Sequence, residues 1–274
     1  MSSNSLQFEP LTPRIGAEVH GIDLSQPMTD DTFDALHDGW MRHQVLFFRD
    51  QALTIEQLKD VGRRFGELHL HPMGDLDGHP GVYRIHADAS TKRLSGQGWH
   101  SDVSCDETPP SASMLHLHIV PDVGGDTIFA SMYDAYEALS PSLAGYLDGL
   151  EACHSGRSTY EGYFGRGSDS MRDNDYPEAV HPVVRTHPVT GRKGLYVNAG
   201  FTSHIIGLEP DESRALLGFL FDHSSHPNFQ CRFRWESNSV AFWDNRCTQH
   251  HAAWDYFPNV RSGNRVTVQG DRPV

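Results

Sequence analysis

Residues 111–120 constrain the fold more than any other stretch. Leu115, Leu117 and Ile119 alternate there with Met114, His116 and His118. Side chains on an extended strand alternate between two faces, whereas a helix repeats every 3.6 residues, so the pattern fits a strand. Residues 229–235 repeat it, with Phe229, Cys231, Phe233 and Trp235 set against Gln230, Arg232 and Arg234. Shorter extended segments are expected at 194–198, 239–244 and 264–269, and residues 45–48 read as a buried strand. Short strands separated by turn residues predict a mainly β fold with flanking helices, a sandwich or jelly roll.

Helical signals lie mostly in the first half. Phe33, Leu36 and Trp40 share one face over residues 30–43, behind Asp30 or Asp31 as cap. Thr54 with Gln57 three residues later reads as a capping box for a helix carrying Ile55, Leu58, Val61 and Phe65. Ser131 or Ser140-Pro141 is expected to open helices within 132–150, and residues 210–223 form another. The 274 residues suit one domain, residues 1–274, with a core large enough to need no staples. Two polar stretches, 72–98 and 155–180, read as long loops and candidate lids.

Charge narrows the class of partner. Lys and Arg total 22 against 36 Asp and Glu, a net charge of −14. Nucleic acid and anionic membranes both select basic surfaces, so neither is expected as a partner. No run approaches the roughly 20 apolar residues of a membrane span. The N-terminal residues lack the basic and apolar regions of a secretory leader. The four cysteines, at 105, 153, 231 and 247, show no C-x-x-C spacing. A cytoplasmic protein with reduced thiols is expected.

The chain carries 18 histidines, and histidine is the commonest metal ligand. Within Gly98-Trp99-His100-Ser101-Asp102, an extended chain sets the imidazole and the carboxylate on one face. A second histidine from a distant strand would complete a 2-His-1-carboxylate triad, which leaves positions open on one side of a ferrous ion. Alone, His-x-Asp is a common coincidence in so histidine-rich a chain. The later segment Thr248-Gln249-His250-His251-Ala252, behind the strand at 239–244, offers two candidates for the missing ligand. Neighbours on a strand face opposite ways, so only one of them can serve.

These segments together resemble the taurine dioxygenase (TauD/TfdA) family of Fe(II)/2-oxoglutarate-dependent oxygenases. The resemblance runs from Pro10 through Asp271. It includes Arg64-Phe65-Gly66-Glu67-Leu68-His69-Leu70-His71-Pro72, Glu107-Thr108-Pro109-Pro110, Gly124-Gly125-Asp126-Thr127 and His181-Pro182-Val183-Val184-Arg185-Thr186-His187-Pro188. It implies a double-stranded β-helix (jelly roll), with His100, Asp102 and His250 as iron ligands. It assigns Thr127 and Arg261, the latter eleven residues after His250, to the far carboxylate of 2-oxoglutarate. It assigns His71, Arg265, the N–H of Val103 and the ring of Phe201 to the substrate. The family's amine-side residues are not matched at Met73-Gly74, Ser95-Gly96-Gln97-Gly98 and Cys105. The implied substrate is therefore a small organic anion: a taurine-like sulfonate, or else an alkyl sulfate or an aryloxyalkanoate.

The implied reaction consumes O2 and 2-oxoglutarate, gives succinate and CO2, and hydroxylates the carbon beside the anionic group. For a sulfonate the product collapses to sulfite and an aldehyde. Homo-oligomers, dimers or tetramers, are implied by the same resemblance. Two readings from other classes use the same residues: a zinc hydrolase on His100, Asp102 and His250, and a non-catalytic anion-binding protein. A hydrolase has no need of Thr127 and Arg261.

Overall fold

The structure, a computed structural model, describes residues 6–71, 75–92, 96–161 and 176–274. Its main sheet holds β1 (Gln7–Pro10), β2 (Ala17–His20), β3 (Val45–Phe48), β4 (Val82–Ala87), β5 (Ala112–Ile119), β13 (Ser239–Asp244) and β15 (Arg261–Val268). Their order is β1-β2-β3-β13-β5-β15-β4. A smaller sheet, β12-β6-β14, is built from β6 (Thr127–Ser131), β12 (Gln230–Phe233) and β14 (Thr248–Ala252). A third contains β7 (Glu151–Ser155), β8 (Glu178–Pro182) and β11 (Thr202–Ile205), and β9 (Val184–Thr186) pairs with β10 (Lys193–Leu195).

The main sheet is covered on both faces. On the outer face, α1 (Asp30–His43) and α2 (Ile55–Phe65) lay Leu36, Trp40, Leu58 and Val61 against Met114, Phe242, Val266 and Val268. Each such side chain contributes about 1.5–3 kcal/mol by leaving water; helices this short are marginal without it. The inner face packs Phe47, Leu115, Leu117 and Trp243 onto Phe129, Cys231, Phe233 and Trp235. Phe47 and Phe233 stack at 4.0 Å between ring centroids. The jelly-roll core is this inner layer, and the candidate site opens within it.

Double coverage changes the reading of β5. His116 is 3% exposed and Met114 2%, so residues 112–117 are buried on both faces; the alternation marks two buried layers, not a wet side and a dry one. Only His118 and Ile119 emerge. Other expectations shift by a few residues. The cap of α1 is Thr29, whose hydroxyl accepts from Thr32 N–H, not Asp30 or Asp31. Thr54 and Gln57 do form the capping box of α2. Ser131 and Ser140 each cap a helix, α3 (Met132–Glu137) and α4 (Pro141–Leu147).

The stretch 72–98 is not one loop, since β4 runs through it as an edge strand. Within 155–180 the described residues contribute α5 (Arg157–Tyr160) and the start of β8; residues 162–175 lie outside the described residues, as do 72–74 and 93–95. A sixth helix, α6 (Pro210–Ser224), packs Leu217 and Leu220 beside Ala135 and Ile205. Among the described residues no helix is long and apolar enough to cross a membrane, and all four cysteines are free and buried.

Candidate metal and dicarboxylate site

Strand register places most of the chemistry. On β15, Arg265 stands opposite Leu115 of β5, whose side chain belongs to the inner layer. Arg261, four residues earlier on the same strand, shares that face. Val266 and Val268 fall on the other face and pack under the helices. On β14, His250 pairs with Phe129, another inner-layer residue, and Ala252 pairs with Thr127. His251 therefore points the other way, and its Nδ1 accepts from Gly98 N–H at 3.2 Å.

His100 is not part of a regular strand. It meets His250 through an isolated antiparallel bridge, with backbone bonds of 3.1 and 2.8 Å. The chain turns directly afterwards, so the same-face argument for His-x-Asp does not describe the local backbone. Val103 adopts φ +48°, a conformation costly for a β-branched residue. The turn brings Asp102 back towards both imidazoles. His100 Nε2 lies 3.8 Å and His250 Nε2 4.0 Å from Asp102 Oδ1, and the two histidine rings are 4.1 Å apart.

The donor set suits a divalent cation. His100 Nδ1 lies 2.9 Å from the carbonyl of Gly98. A carbonyl only accepts, so Nδ1 carries the proton and Nε2 keeps its lone pair. Burial lowers the pKa of His100, with Arg265 adding to the effect against Asp102. Burial, then the neighbouring His100, drives His250 well below its ordinary value. Burial alone would raise Asp102, but Arg265, the two histidines and Ser113 outweigh it and hold the carboxyl below its usual range. Two neutral imidazoles and one carboxylate are the protonation states that metal binding needs.

One cavity joins this cluster to a buried arginine. Its walls include His100, His250, Thr127, Trp235, Arg261 and Arg265. Arg261 is 3% exposed, and burial depresses its pKa to about 10, so it stays charged at neutral pH. Its Nε donates to the carbonyl of Gly125 at 3.2 Å, and Nη2 reaches Thr127 Oγ1 at 3.4 Å. Among the described residues it forms no ion pair within 4.0 Å. An uncompensated buried charge is expensive, and a guanidinium fork is shaped to take a carboxylate.

The residues assigned to substrate lie beside Asp102. Arg265 is 7% exposed and donates from Nη1 to Asp102 Oδ1 at 2.7 Å. Its guanidinium also sits 5.3 Å over the ring of Tyr83, on which His71 stacks at 4.5 Å. Burial and the Arg265 charge push His71 down to about 3, so it is neutral at pH 7. Val103 and Phe201 pack with Cys105 and Tyr160 in a small apolar cluster, and Phe201 lies 6.4 Å from His100. Of His71, Val103, Phe201 and Arg265, only Arg265 lines the cavity. Among the other departures, Met73, Gly74 and Ser95 lie outside the described residues, whereas Gly96 lines the cavity.

Several participants went unnoticed in the sequence. Ser113 donates to Asp102 Oδ2 at 2.6 Å, and Asn245 and Trp243 support it. Ser113 stands in phase with Leu115 and Leu117, so a polar residue on an inward-facing position was the available signal. A second cluster, His187, Asp244 and Cys247, also brings ligand-type atoms together. There Arg246 grips Asp244 with Nε and Nη2 at 2.8 and 2.6 Å while His187 sits at 3.0 Å. That carboxylate is saturated by a cation the chain already supplies, so the cluster reads as a structural ion pair.

Comparison with known proteins agrees with the fold and the motifs. Residues 7–267 match the model of the taurine catabolism dioxygenase TauD, TfdA family. An alpha-ketoglutarate-dependent sulfonate dioxygenase of Saccharomyces cerevisiae is 36% identical over 98% of this chain and 68% of its own. An alpha-ketoglutarate-dependent sulfate ester dioxygenase of Pseudomonas putida is 34% identical over 98% of this chain and 91% of its own. The crystal structure of a taurine dioxygenase from Burkholderia xenovorans superposes with a TM-score of 0.85 at 40% identity, covering 98% of this chain and 93% of that one. Fold, motifs and relatives converge: the chain belongs to the taurine catabolism dioxygenase TauD, TfdA family.

Proposed function

We propose that this chain is an Fe(II)- and 2-oxoglutarate-dependent dioxygenase that hydroxylates a small organic sulfonate next to its anionic group. The observation that carries the reading is the shared cavity, lined at one side by His100 and His250, which cluster with Asp102, and at the other by Arg261, a cation without an ion pair among the described residues. His100, Asp102 and His250 would hold the iron. The bound iron supplies the O2 chemistry that side chains cannot. Arg261, supported by Thr127, binds the far carboxylate of 2-oxoglutarate and so aims its oxo-acid end at the metal ligands. Trp235 fixes Thr127 by donating its indole N–H to Oγ1 at 3.0 Å.

Arg265 and His71 are the anion clamp, and the neutral His71 contributes a hydrogen bond and no charge. The N–H of Val103 joins that clamp, and Phe201 closes the apolar side and excludes water. No described residue marks a sulfonate over a sulfate ester or an aryloxyalkanoate, so all three belong in the assay. Free thiols throughout fit a reducing compartment, and we place the protein in the cytoplasm as a homo-oligomer.

The direct test mixes purified protein with Fe(II), 2-oxoglutarate, O2 and a panel of taurine, other alkylsulfonates, alkyl sulfates and aryloxyacids, and measures succinate. Substrate-dependent succinate, lost in Arg261→Ala, supports the reading. A dead enzyme across the panel with tight zinc binding instead favours a hydrolase.

A further inference from the structure

Asp102 is held by a chain of hydrogen bonds whose direction is fixed by one donor-only group. Trp243 Nε1–H lies 3.0 Å from Asn245 Oδ1. An indole nitrogen can only donate, so the oxygen of the Asn245 amide must face Trp243 and its NH2 must face the other way. That NH2 donates to Ser113 Oγ at 2.9 Å. Since Ser113 accepts at that contact, its single proton turns to Asp102 Oδ2, at 2.6 Å. Asn245 Oδ1 also receives the Asp102 N–H at 3.4 Å, and its carbonyl takes the Ser101 hydroxyl at 2.7 Å. All of these groups are buried: Ser113 is 0% exposed and Asn245 1%. The register explains the reach, since Ser113 of β5 pairs directly with Trp243 of β13.

The consequence is an asymmetric carboxylate. Oδ2 is committed to Ser113, whereas Oδ1 faces the two imidazole Nε2 atoms at 3.8 and 4.0 Å. Arg265 takes one lone pair of Oδ1 and leaves another. We propose that Ser113, oriented by Asn245 and Trp243, is a positioning residue that restricts Asp102 to a single-oxygen ligand. This rests on the metal assignment made above. On a six-coordinate ion, two imidazoles and one oxygen would take three positions and leave three. A chelating oxo acid needs two and O2 the third. A carboxylate binding through both oxygens would fill a fourth position and leave only two.

Co(II) titration of the metal-free protein, followed by visible absorption, tests the idea without turnover. Wild type should bind Co(II). Ser113→Ala should bind about 10- to 100-fold more weakly, with a changed Co(II) band intensity reporting altered coordination. Ser113→Cys keeps a weak donor of nearly the same shape and should fall between the two; it serves equally if Ser113→Ala does not fold. A merely structural serine would lower the thermal midpoint of the metal-free protein and leave affinity and spectrum at wild-type values, which overturns the proposal. Failure of the wild type to bind Co(II) at all would remove the metal assignment and the proposal with it.

Discussion

Gly200 passes so close to His100 that a Cβ built on it falls 2.8 Å from the His100 Cβ. That contact is with the root of a side chain, which cannot swing aside. Gly200→Ala should therefore displace the imidazole and weaken Co(II) binding about tenfold or more, read by the same titration. The adjacent histidines should separate cleanly. His250→Ala should abolish metal binding, while His251→Ala, whose ring accepts from Gly98 outside the cavity, should retain it within a few-fold; the reverse result would exchange their roles. Strand alternation alone says only that the two differ, and it is the family resemblance that selects His250. What decides is the pairing of His250 with Phe129, a long-range register no local pattern contains. Ser113 was hidden for the same reason, since its partner lies eleven residues away around a turn.

At the scale of elements, local chemistry was readable and burial was not. The capping box on α2 is a four-residue signal and stands as read; Thr54→Ala should cost about 1 kcal/mol in denaturant-induced unfolding. The two-sided burial of β5 depends on layers brought in from residues 33–65 and 127–235, and an alternating strand looks the same with one covered face or two. The Asp244–Arg246 pair at the end of β13 illustrates the cost of such enclosure. Arg246 is 8% and Asp244 1% exposed, and His187 lies against the same carboxylate. Arg246→Ala would strand a buried anion, for which the expected loss is about 3–5 kcal/mol. An unfolding midpoint within error of wild type would show that His187 alone suffices.

Across the whole molecule, burial holds several imidazoles in their neutral form, and that sets its response to acid. His154 is fully buried, and burial, then the neighbouring His181, pushes its pKa down to about 3. His250, His100 and His181 are lowered from burial as well. In the unfolded chain each binds a proton near its ordinary value of 6.5. Between that value and the depressed one, the unfolded state carries more protons than the folded state, so stability falls as pH falls. Well inside the window each histidine contributes a slope of roughly 1.4 kcal/mol per pH unit. His154 and His250 together give about 3 kcal/mol per unit. Asp102 and Asp244, held low by cationic neighbours, act in the same direction at lower pH, their contribution vanishing as they protonate below about 3.8. Against a total stability of about 5–15 kcal/mol, the metal-free protein should weaken from pH 6.5 downward and unfold between roughly pH 5 and 3. Denaturant unfolding at pH 7, 6 and 5 checks this directly. A flat stability across those three points would mean that the buried histidines take up protons at the same pH in the folded and unfolded chain, and that burial does not hold them neutral.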